Sequence, residues 1–87
     1  MIGSAENPPG PEAVTIDARG LSCPLPVIRM EAALRRIAPG ASVRIMADDP
    51  VAVVDIPHFA QAGGHQCRRV PCPDGACVFL VTRGENP

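Results

Sequence analysis

Lysine, tryptophan and tyrosine are absent from this 87-residue chain, and phenylalanine occurs only at Phe59 and Phe79. Without lysine there is no side-chain amine for a Schiff base and no P-loop lysine for a nucleotide phosphate. Two aromatic rings offer little surface for stacking on bases. A net charge of −1 provides no broad basic surface for a phosphate backbone, so direct nucleic-acid binding is not expected. No apolar run approaches the roughly 20 residues of a membrane span. The N-terminus lacks the basic-then-apolar layout of a secretory signal, which points to a cytoplasmic setting without membrane association. The cysteines Cys23, Cys67, Cys72 and Cys77 are then expected as free thiols in a reducing compartment.

What is present fits one small domain. Chains near this length bury only about 60% of their unfolded surface, so the core is thin and aliphatic, with room for one site. All eight basic residues are arginine, and Arg35-Arg36 and Arg68-Arg69 are the only adjacent pairs. Solvated faces explain both pairs better than docking patches for an acidic partner.

Residues 1–12 contain Pro8-Pro9-Gly10-Pro11 and few apolar side chains, the composition of a disordered lead-in ahead of a domain over 13–83. Val14 to Asp17 alternates as a short strand, and Arg19-Gly20 supplies a turn. Val27, Met30, Leu34 and Ile37 then recur at helical spacing, which predicts an amphipathic helix over about 24–38 closed by Pro39-Gly40. Ser42 to Ala47 alternates again, with Val43 and Ile45 on one face and Ser42 and Arg44 on the other. Strand, helix and strand with short joins imply a right-handed crossover. Asp49 as N-cap and Pro50 at the first helical position start a second helix with Val53, Ile56 and Ala60 as its apolar stripe. Pro57 inside it predicts a kink near Val53 to Ile56, or a break into two pieces. His65 to Val70 and Ala76 to Thr82 read as a hairpin around Pro73-Asp74-Gly75, with Cys72 and Cys77 flanking the turn and able to face each other. Residues 84–87 form a short polar tail. The order β-α-β-α-β-β predicts a two-layer α/β sandwich, with a four-stranded mixed sheet and two helices on one face.

The stretch that carries chemistry is Cys23-Pro24-Leu25-Pro26. Pro24 suits the first helical position, where its missing N–H costs nothing, and this places Cys23 at the N-cap. A thiol there faces the positive end of the helix dipole, which favours the thiolate and lowers its pKa. The other reading is a small apolar residue packed under a proline-initiated helix, since unpaired cysteine is among the most buried residue types.

Two segments together resemble a known family. Asp17-Ala18-Arg19-Gly20-Leu21-Ser22-Cys23-Pro24-Leu25-Pro26 is similar to the signature of the TusA/SirA-like sulfur carriers. Ala47-Asp48-Asp49-Pro50, with Asp55-Ile56-Pro57, Phe59 and Gly64-His65, resembles that family's second helix and its flanks. The similarity spans about 13–83. It implies a carrier whose matching cysteine, Cys23, accepts a sulfane sulfur as a persulfide and passes it to an acceptor protein. It further implies a cysteine desulfurase or rhodanese as donor, and tRNA thiolation, sulfur oxidation or cofactor sulfur supply as destinations. Such a protein is a relay partner rather than an independent turnover enzyme, and it needs no cofactor. The family fold implied is a sandwich with sheet order 1-2-4-3 and the last strand antiparallel to the others.

Within that reading, Pro24 and Pro26 hold the helix start rigid. Arg19 either adds positive charge near the sulfur or faces solvent, and Asp17 orders the loop by accepting backbone N–H bonds. Some relatives carry a second cysteine after the phenylalanine of the second helix, where this chain has Ala60. Cys67, Cys72 and Cys77 lie outside the family pattern. Cys67 reads as a half-buried strand residue, and a Cys72–Cys77 redox pair is the minority reading. Zinc is disfavoured because these cysteines are separated by four residues each and form no Cys-x-x-Cys knuckle, with His58 and His65 reading as polar surface or helix-end residues. A thiol-disulfide redox protein would need a second cysteine in reach of Cys23; the position three residues on is Pro26, so only a distant partner such as Cys67 could resolve it, and nothing in the sequence places it nearby. A regulatory protein-binding module, in which Cys23 is incidental, is the remaining alternative.

Overall fold

The computed structural model describes residues 12–71 and 76–85. Its elements are β1 (Glu12–Asp17), α1 (Leu25–Leu34), β2 (Ser42–Ala47), α2 (Pro50–Ala62), β3 (Gln66–Val70) and β4 (Cys77–Thr82), in the predicted order. Glu12, assigned to the lead-in by composition, instead opens β1. The sheet order is β1-β2-β4-β3. β1 and β2 are parallel, and β4 is antiparallel to both β2 and β3.

The register explains the two layers. Val14 and Ile16 stand beside Val43 and Ile45, which pair across β4 with Val81 and Phe79. Val43, Ile45, Val81 and Phe79 are buried, and they share one core with Val27, Met30 and Leu34 of α1 and Ala52, Ile56 and Ala60 of α2. Both helices therefore cover the same face, α1 over β1 and β2 and α2 over β3 and β4, and they touch each other. Leaving no large ring in this layer except Phe79, the chain packs it with β-branched and small side chains. Ser42 lies on the opposite face yet is fully buried, and its hydroxyl is 2.8 Å from that of Thr82, its partner across the ladder. A buried hydroxyl without such a partner would be costly.

Several further details differ from the sequence reading. α1 stops at Leu34 rather than near residue 38. The chain tightens there, with Arg36 N bonded to the Ala33 carbonyl at 3.0 Å, and still delivers Ile37 into the core. Gly40 turns the chain at φ +90°. Its N–H donates to the Arg83 carbonyl, and the Arg83 guanidinium bonds the Ile37 carbonyl, which closes this end of the sheet. α2 is not broken by Pro57. A proline inside a helix costs about 3 kcal/mol, but Ile56 and Ala60 on either side of it are fully buried, and their packing holds one continuous helix. Gly84, placed in the tail by composition, donates its N–H to His65 Nδ1 at 3.0 Å.

The hairpin of β3 and β4 pairs from Gln66↔Thr82 to Val70↔Val78. The expected facing of Cys72 and Cys77 lies outside the described residues because Cys72 does. Cys77 is a free thiol, half-buried, and accepts a 2.9 Å hydrogen bond from Arg69 Nη2. Cys67 is also free and half-buried against the core, and burial pushes its thiol pKa up.

Candidate functional site at the β1–α1 connection

β1 and β2 run parallel, so their C-terminal ends, and the starts of both helices, fall at one end of the sandwich. This arrangement brings the two sequence motifs together. The chain leaves β1 at Ala18, whose N–H still bonds the Met46 carbonyl of β2 at 2.8 Å. A turn follows, closed by Leu21 N to the Ala18 carbonyl at 3.2 Å. Gly20 occupies its third position at φ +83°, a conformation open to glycine and strained for other residues. Leu25 N donates to the Ser22 carbonyl at 2.9 Å, and Ile28 N to the Pro24 carbonyl at 3.1 Å, which begins α1.

Three aspartates from the second motif hold this connection. Asp48 Oδ1 accepts from Gly20 N at 2.9 Å, and Asp49 Oδ2 accepts from Cys23 N at 3.4 Å. The same Asp49 oxygen caps α2 by accepting from Ala52 N at 3.1 Å. Asp55, half-buried on α2, accepts a hydrogen bond from the Cys23 thiol, Sγ to Oδ2 3.1 Å. The run Ala47-Asp48-Asp49-Pro50 with Asp55 is therefore the dock on which the cysteine loop rests.

Cys23 is exposed, which excludes the reading of a cysteine packed beneath the helix. It is not the N-cap. Pro24 takes that position without a side-chain bond, through a cis Cys23–Pro24 peptide, and Leu25 is the first helical residue. Pro24 is exposed, whereas Pro26 is buried and anchors the first turn of α1 to the core. Asp17 and Arg19 pair with each other. Arg19 Nε and Nη2 reach the two carboxylate oxygens at 2.8 Å each, and Arg19 N donates to Asp17 Oδ1 at 3.1 Å. The hydrogen bonds from the Arg19 side chain and backbone hold the Asp17 carboxyl down at about 2. That guanidinium is committed to Asp17 in the bidentate geometry that suits a carboxylate.

The electrostatics of the sulfur differ from the sequence expectation. A cysteine at a helix N-cap should have a lowered pKa. The Cys23 pKa is instead raised, first because its thiol donates to Asp55, then through desolvation and the nearby negative charges of Asp55 and Asp49. A carboxylate 3.1 Å away stabilises S–H and repels S⁻. This outweighs a helix end from which the cysteine stands one residue further back.

Sequence reasoning missed Asp48, Asp49 and Asp55 as partners of the cysteine loop. Asp49 was legible as a helix cap but not as a ligand of Cys23 N. Asp55 carries no local signal, because its contact with Cys23 spans 32 residues of sequence. Among the described residues no three His, Cys, Asp or Glu side chains gather as a metal-binding group, and no helix is long and apolar enough to cross a membrane. Ala60, the place of the second cysteine in some relatives, is fully buried in the core.

The family model for sulfurtransferase TusA matches residues 14–83 of the chain. Among solved structures, a SirA-like protein from Desulfitobacterium hafniense is similar, with a TM-score of 0.75 at 28% sequence identity, covering 84% of this chain and 100% of that one.

Proposed function

The chain belongs to the TusA sulfurtransferase family, whose general role is sulfur transfer in relays between proteins, and from that premise we propose that Cys23 is its sulfur-bearing residue. The observation that carries the reading is the placement of an exposed thiol on a connection held at Gly20, Cys23 N and Sγ by three carboxylates of one neighbouring segment. Such a loop presents sulfur in one geometry while leaving it open to a second protein.

The step is an exchange between sulfurs. Cys23 Sγ attacks the outer sulfur of a donor persulfide, a new Sγ–S bond forms, the donor's own S–S bond breaks, and the donor cysteine leaves with the electron pair. One persulfide and one thiol are consumed and one of each is produced, so no oxidant or reductant is needed. Handover repeats the exchange with the acceptor's thiolate as nucleophile and Cys23 as leaving group. The proposed donor is a cysteine desulfurase or a rhodanese. The acceptor is a protein that serves tRNA thiolation, sulfur oxidation or cofactor assembly in the cytoplasm. Asp17, Arg19, Pro24 and Pro26 act by shaping the connection: the ion pair fixes its start, and buried Pro26 fixes its end.

Incubation with a cysteine desulfurase, L-cysteine and pyridoxal phosphate tests this. The wild type should gain the mass of sulfur, removable by a reducing thiol, and Cys23→Ser should not. Equal gain in the two proteins would reject Cys23 as the carrier residue, and no gain in either, from desulfurase and rhodanese alike, would reject the carrier function.

A further inference from the structure

We propose that Asp55 is a positioning residue for the carrier reaction, holding unloaded Cys23 as an aimed, protonated thiol and disfavouring retention of the anionic persulfide once sulfur has been received. The proposal rests on the carrier reading above. Its geometric basis is the 3.1 Å hydrogen bond from Cys23 Sγ to Asp55 Oδ2, made by a half-buried carboxylate on a continuous helix. The other loop carboxylate, Asp17 at the end of β1, is paired with Arg19.

The charges around the sulfur have one dominant sign. From α2 come Asp49 at its N-terminal cap and Asp55 further along, both of which act on the thiol as negative charges, while Asp48 at the strand end before it accepts from Gly20 N. On the cysteine's own connection stand Asp17 and Arg19, which form an ion pair. In this setting S–H is satisfied and S⁻ is opposed, so the free carrier is protected from adventitious oxidation and alkylation, which need the thiolate. A persulfide is a stronger acid than a thiol, so the loaded carrier presents S–S⁻ to the same carboxylate. The attraction that held the thiol becomes repulsion, and the outer sulfur is turned away from α2 toward an acceptor.

Cys23–SH and a donor persulfide give Cys23–S–SH and a donor thiol. The proton that Asp55 orients on Sγ is released as Sγ attacks, and the departing donor thiolate takes it up. Asp55 itself is unchanged.

The test is the pH dependence of Cys23 alkylation by iodoacetamide in the full chain, read on the Cys23 peptide so that the other thiols do not contribute. The wild-type midpoint should lie above the ordinary cysteine value of about 8.5. Asp55→Asn should lower it, and Asp55→Glu should restore part of the difference. For each unit that the midpoint falls, the thiolate fraction at neutral pH rises about tenfold while its intrinsic nucleophilicity declines, so the rate should rise about three- to fourfold. Superimposable profiles for wild type and Asp55→Asn would overturn the proposal. So would a wild-type midpoint at or below the ordinary value, a result that stands even if Asp55→Asn fails to fold. Either result alongside sulfur loading of wild type but not of Cys23→Ser would remove Asp55 alone and leave the carrier function standing.

Discussion

Asp49 joins the two halves of the site, and replacing it should show this in stability. Its Oδ2 accepts from Ala52 N at 3.1 Å as the cap of α2 and from Cys23 N at 3.4 Å across the chain. Losing an aspartate cap to alanine costs roughly 0.5–2 kcal/mol, typically about 1. The second bond is long and contributes less than the usual value of about 1 kcal/mol. Asp49→Ala should therefore destabilise the protein by about 1–2 kcal/mol. In a domain of this size each kcal/mol lowers Tm by about 4–8 °C, so thermal unfolding followed by circular dichroism should show a drop of about 5–15 °C. Asp49→Asn separates hydrogen bonding from charge, because asparagine caps as well as aspartate but carries no charge. It should hold stability close to wild type. An Asp49→Ala protein as stable as wild type, or an Asp49→Asn protein as weak as Asp49→Ala, would refute the assignment of Asp49 as a hydrogen-bonding joint.

Two further outcomes follow from the packing and the ion pair. Ile45 is fully buried in the second strand of the sheet's order, between β1 and β4, and Ile45→Ala should cost about 2–5 kcal/mol, seen as a fall in the urea midpoint at unchanged slope; a change below about 1 kcal/mol would mean that this core is not packed as described. The Asp17 carboxyl is held at about 2 in the folded chain by Arg19, below its unfolded value near 4. Its contribution to stability is thus fully present above about pH 4 and fades as pH falls toward 2. The stability difference between wild type and Asp17→Asn should shrink over that window, and an NMR titration of the Asp17 carboxyl with an ordinary midpoint near 4 would contradict the pairing.

Most of the fold was legible because it is written in local pattern. The alternation of Val43 and Ile45, the caps at Asp49-Pro50, and the spacing of Met30 and Leu34 each specify an element and the face it buries. The errors arose where distant packing overrode local preference. Of the kink or break expected at Pro57, the break does not occur, because Ile56 and Ala60 fix the helix against the sheet. Residues 35–38 do not continue α1, because the chain must tighten to place Ile37 and meet Arg83. The site shows the same division. The place of Cys23 on an exposed connection ahead of α1 could be anticipated from Cys23-Pro24-Leu25-Pro26. Its chemistry could not, since the helix-end argument considered only α1, and the carboxylate that governs the thiol comes from α2. Its hydrogen bond is the largest of the causes, with desolvation and the charge of Asp49, that raise the cysteine's pKa against the expected direction.

Cys23 is an exposed thiol hydrogen-bonded to Asp55, and it is one of several thiols in the chain. Cys77, bonded by Arg69, and Cys67, half-buried in β3, are accessible in part, and a mass gain on the whole protein would not by itself say where sulfur resides. The most direct measurement is therefore to load the wild-type chain with a desulfurase and L-cysteine, block it with an alkylating agent, and map the added sulfur by tandem mass spectrometry. The account predicts the persulfide on the peptide containing Cys23 and its loss in Cys23→Ser. Sulfur found instead on Cys67, Cys72 or Cys77, with Cys23 unmodified, would contradict it.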